Sequence, residues 1–113
     1  MKKVTESISI AELDQMSEKM YDRLVKAVVD LENQIMVVDA EMHVDEESFL
    51  LEEGSKQENL WGINIYPARV GKSDWIEFDS MINLRPYQGN RSRSVENIEI
   101  QKQIIDLVTR LVK

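Results

Sequence analysis

From Leu60 to Pro86 the chain alternates. Trp61, Ile63 and Ile65 stand against Gly62, Asn64 and Tyr66, and then Ile76, Phe78, Ser80, Ile82 and Leu84 stand against Trp75, Glu77, Asp79, Met81, Asn83 and Arg85. Period two over this length demands strands with one dry face and one wetter face. Between the runs, residues 67–73 (PARVGKS) bring a proline with no amide hydrogen to donate and a glycine free to take positive φ, which sets the segment outside any ladder. The predicted element is a long β-hairpin. Its wetter face carries Asn64, Tyr66, Glu77, Asp79, Asn83 and Arg85, and a site could lie there.

The rest of the chain supplies what covers the dry face. Ser9 and Glu12 form a capping box preceded by Ile8, and Leu13, Met16, Met20, Leu24, Val28 and Leu31 recur at spacings of three and four, so a helix is expected over residues 9–32. The methionines on that stripe read as adaptable core packing rather than a cofactor box. From Ile35 the period becomes two, with Met36, Val38, Ala40, Met42 and Val44 opposing Ile35, Val37, Asp39, Glu41 and His43, which predicts a third strand. Residues 45–53 fit either a fourth strand through SFLLEE or a short helix ended by Gly54, and the strand is adopted as the expectation. Residues 54–59 and 87–94 are polar loops. Asn97 caps a final helix whose Ile100, Ile104, Val108 and Leu111 share a face, with Asp106 and Arg110 paired on the outside. The expected fold is therefore α+β over residues 1–113 as one domain: a two-layer sandwich in the order α-β-β-β-β-α, an antiparallel sheet of about four strands with both helices on one face.

Composition excludes several function classes. The 113 residues contain no cysteine, which rules out disulfides, thiolate metal sites and cysteine nucleophiles and suits a reducing compartment. No apolar run approaches the ~20 residues of a membrane span, and the start MKKVTESIS has no apolar core of a secretory signal. A cytoplasmic protein is expected. The net charge is −7, and residues 39–53 hold seven of the 21 carboxylates and no Lys or Arg, which leaves 14 acids against 14 bases elsewhere. That local acidic patch counts against nucleic acid as a partner, because it repels phosphates.

Two passages, Gly54-Ser55-x-Gln57-x-x-Leu60-Trp61-Gly62-x-Asn64-x-Tyr66-Pro67 and Asn83-x-Arg85-Pro86-x-x-x-Asn90-Arg91-Ser92, resemble the distinguishing motifs of a small uncharacterised prokaryotic domain family. The resemblance runs nearly end to end. It implies a complete small bacterial or archaeal protein, and it carries no activity, substrate or cofactor with it.

Two constellations could carry chemistry. Asp39, Glu41 and His43, at alternate positions of the expected third strand, would share one face, and two carboxylates beside an imidazole suit a divalent metal; the bland reading is an ordinary solvated strand. The loop RPYQGNRSR gathers Arg85, Arg91 and Arg93 with Tyr87, Gln88 and Asn90, and guanidinium forks grip carboxylate or phosphate bidentately. Its bland reading is that the arginines fold back onto the chain's own carboxylates around residues 39–53, or simply solubilise a loop. Signatures of serine hydrolases, phosphate-cradling loops and zinc helices are absent. The expectation is a binding module for a partner protein or small anion, working through the open sheet face and the Arg85–Arg93 loop, with ligand contacts at Arg85, Asn90, Arg91, Asn64, Tyr66 and Gln88 and no cofactor. Trp75, Tyr66 and Met81 on the same face could serve a homodimer. The alternative is a metal-dependent hydrolase at Asp39, Glu41 and His43.

Overall fold

The computed structural model describes all residues, Met1–Lys113. The elements run β1 (Lys2–Val4), α1 (Ile10–Ser17), β2 (Val25–Asp30), β3 (Ile35–Val38), α2 (His43–Glu52), β4 (Leu60–Ile65), β5 (Ile76–Glu77) and α3 (Ile98–Leu111), with short 3-10 turns between several of them. The strands form a five-stranded sheet in the order β1-β3-β2-β4-β5, antiparallel at every pairing. The α+β class, the antiparallel sheet and the placing of α1 and α3 on one face are as expected. Inward residues of α1 and α3, Leu13, Ile104, Leu107, Val108 and Leu111, pack in one cluster with Val25, Ala27, Val29, Met36, Val38, Trp61, Ile63 and Ile65.

Both helix starts follow their sequence signals. The Ser9 hydroxyl accepts from the Glu12 amide at 3.0 Å, and the Asn97 side chain accepts from the Glu99 and Ile100 amides. Arg110 does not pair with Asp106; it donates to the Gln34 side chain at 3.1 Å.

Three elements differ from expectation. The first helix stops at Ser17, and Val25–Asp30 is the central strand β2. Val25, Ala27, Val28 and Val29 are all buried because both faces of this strand are covered, so it reads as a solid apolar run; Leu24, Val28 and Leu31 matched a helical period by coincidence. The third strand ends at Val38, where Asp39 takes φ +73, and His43–Glu52 is helix α2, not strand. Gly54, at φ +101, follows its end. The hairpin exists, with Asn64 opposite Glu77 and Ile65 opposite Ile76, but its second strand is two residues long. Beyond it Ser80 caps a 3-10 turn over Met81–Asn83, its hydroxyl accepting from the Ile82 amide.

Helix α2 changes what the second sheet face is. Leu50 of α2 packs with Val28, Val37 and Leu60, joined by Phe49 and Ile82. The face expected to lie open is thus covered over β2 and β3. Trp75 joins the α1/α3 side instead of the polar face.

Candidate functional site

The arginine loop and the first half of the hairpin are clasped together. The Asn83 side chain accepts from the Gly62 amide at 2.8 Å and donates to the Gly62 carbonyl at 2.9 Å, so a side-chain amide continues the ladder where β5 has ended. A Cβ on Gly62 would lie 2.6 Å from Ser80, which makes glycine the residue that allows this close approach. Arg85 is buried, donates to the carbonyls of Gln57 and Leu60, and stacks 4.1 Å from the Trp61 ring centroid. Its Nε has no partner. The Asn90 amide donates to the carbonyls of Asn83, Ser92 and Ser94, while its oxygen accepts from the Glu96 amide. Tyr87 and Gln88 reach Gln57 and the Glu58 carbonyl. The two passages that carry the family resemblance therefore bind each other.

The remaining expected ligand contacts are also placed. Asn64 donates to Glu77 at 2.8 Å, Tyr66 donates to the same carboxylate at 3.3 Å, and Arg91 is exposed with its backbone amide on Glu96. None of Arg85, Asn90, Arg91, Asn64, Tyr66 and Gln88 lines a cavity.

A cleft does open beside them, of about 200 Å³. One wall is residues 41–44 at the start of α2, the other is Ser80, Met81 and Ile82, and Lys26 and Arg93 complete the lining. Arg93 is the one arginine of the loop that reaches it, and it is held by Asp79 at 2.6 Å. Lys26, on the α2 side of β2 and opposite Asn64, is half-buried, and its ammonium enters no ion pair. No sequence pattern marked Lys26, because the expected first helix swallowed it as a solvated outer residue.

The proposed metal trio is not on one strand face. Asp39 sits past the end of β3 and pairs with Lys19 at 2.7 Å, Glu41 is exposed in the following bend, and His43 begins α2. His43 meets the Ile63 carbonyl at 2.7 Å, and since a carbonyl only accepts, Nε2 holds the proton. Burial pushes its pKa below the usual histidine value, against the pull of that hydrogen bond. No group of three or more His, Asp or Glu side chains is arranged to hold a metal ion.

Glu46 is the most perturbed group. It is fully buried on α2, and burial pushes its carboxyl up to about 9, opposed by the Ala40 amide donating to Oε2 at 3.1 Å. Burial thus favours the neutral carboxyl at this position of the acidic stretch 39–53.

A five-stranded antiparallel sheet flanked by α1 and α3 on one side and α2 on the other, with a small mixed cleft at the start of α2, defines a small α+β protein. The chain belongs to the family described as Protein of unknown function (DUF5674), which matches residues 2–111. No curated protein matches it. No solved structure matches it either.

Proposed function

We propose that this protein binds a small anion in the cleft floored by Lys26, and that it acts by binding rather than by catalysis. The observation that carries this reading is the Lys26 ammonium, unpaired in a chain of net charge −7 that offers carboxylates all around. A half-buried cation without a counterion is one that a bound anion stabilises. Arg93, held by Asp79, lines the same cleft, so the arginine loop contributes a wall through this residue while Arg85 and Asn90 hold the fold. The start of α2 faces the same space, and no side chain caps it; its dipole adds in the same sense. A cytoplasmic setting accords with the absence of cysteine and of a membrane-crossing helix. A partner protein or homodimer has less to grip than the sequence suggested, since α2 occupies much of the face in question.

The test is a thermal-shift titration with sodium acetate and sodium phosphate at constant ionic strength. A rise of a few degrees at saturating anion is expected for the natural protein and none for Lys26→Met, which keeps the length and packing of the side chain. Equal shifts in both proteins, or none in either, would remove the proposal.

A further inference from the structure

We infer that the anion taken by this cleft is a short-chain monocarboxylate, its carboxylate on Lys26 and its hydrocarbon end among Met42, Val44, Met81 and Ile82. The inference rests on the anion-binding reading and goes on to name the ligand class.

Charge sets the valence. Asp79 already neutralises Arg93 at 2.6 Å, which leaves Lys26 as the one cation of the cleft outside an ion pair. Glu41, exposed at the rim, faces the same space. With Glu41 counted, the charges in and around the cleft cancel, so a dianionic phosphate brings twice the excess negative charge that a monoanion does.

The apolar lining sets the rest. Four of the nine lining residues are hydrophobic, and Met42, Met81 and Val44 leave 58%, 62% and 43% of their surface exposed. Scattered exposed apolar side chains are ordinary, but here three of them line one cleft together with Lys26. Unbranched methionines close over ligands of variable shape. A simple inorganic anion would use none of this surface. The volume of about 200 Å³ leaves room for an acid with a short hydrocarbon chain.

Ligand-observed NMR titrations with acetate, butyrate, hexanoate and inorganic phosphate test this. The expected affinity rises about fourfold for each added methylene up to hexanoate, from the free energy of burying a methylene, and phosphate binds more weakly than butyrate. Met81→Ser should weaken hexanoate several-fold more than acetate, and Glu41→Gln should tighten all the carboxylates. If phosphate and acetate bind in a Lys26-dependent way but chain length brings no gain, the anion reading stands and the monocarboxylate inference is overturned. If no anion binds at all, both fall.

Discussion

Asn83 shows how much of this fold depends on single polar side chains standing in for backbone. Its amide answers the Gly62 N–H and C=O and also donates to the Arg93 carbonyl at 3.0 Å, all in a fully buried setting. Asn83→Ala leaves those groups unpaired. At about 1–3 kcal/mol for a buried polar group without a partner, the expected loss is about 3 kcal/mol, read from urea denaturation with the slope unchanged. A loss under about 0.5 kcal/mol, the usual size for an unimportant surface change, would mean that the ladder does not need this side chain. Arg85 works in the same way through the Gln57 and Leu60 carbonyls and the Trp61 ring. The sequence made Asn83, Arg85 and Asn90 conspicuous, but the fold-back it offered was onto the carboxylates of residues 39–53, whereas Arg85 goes to backbone carbonyls and Arg93 to Asp79. What it could not supply was the partner: Asn83 reaches back to Gly62 and Arg85 to Gln57 and Leu60, all backbone groups of a distant segment, and a carbonyl has no letter in the sequence.

Helix α2 is the element on which the cleft and the pH behaviour both turn. Below the unfolded carboxyl value of about 4.5, Glu46 is protonated in both states and its contribution to stability is fully present. Between there and its folded value of about 9 only the unfolded chain ionises, so stability falls as pH rises, by up to ~1.4 kcal/mol per pH unit. His43 acts oppositely, its lowered pKa removing stability as pH falls below 6.5. From pH 6.5 to 9 the Glu46 effect is therefore unopposed by His43. Chemical denaturation across that window should show the natural protein losing about 2 kcal/mol from pH 6.5 to pH 8, at ~1.4 kcal/mol per pH unit, while Glu46→Gln stays nearly level. Matching slopes would mean that Glu46 is ionised in the fold. The same residues explain why α2 was not legible. Its inward positions are His43, Glu46, Glu47 and Leu50, a helical spacing filled mostly by polar residues, so hydrophobic periodicity had almost nothing to report. Helix α3 was legible because Ile100, Ile104, Val108 and Leu111 are apolar and Asn97 is a strong cap. Strand β1 was missed because three residues at the edge, Lys2–Val4, carry one buried side chain.

At the scale of the whole molecule, five strands put α1 and α3 on one face and α2 on the other, and the cleft is the gap α2 leaves where its first turn ends short of the 3-10 turn at Met81–Asn83. The sequence indicated the sheet, the hairpin and a polar row containing Asn64 and Glu77, and these stand in register with Lys26 across β2, β4 and β5. The cleft itself was not legible, because its walls come from segments about 40 residues apart that meet only when α2 crosses the sheet. An amide-resolved NMR titration of the isotope-labelled protein with hexanoate separates the cleft from the arginine loop most directly. The expected result is that saturable shifts concentrate at residues 26, 41–44, 80–82 and 93. Shifts confined to residues 85–91, or none at ligand concentrations that saturate comparable small-acid sites, would contradict the placement of the binding site.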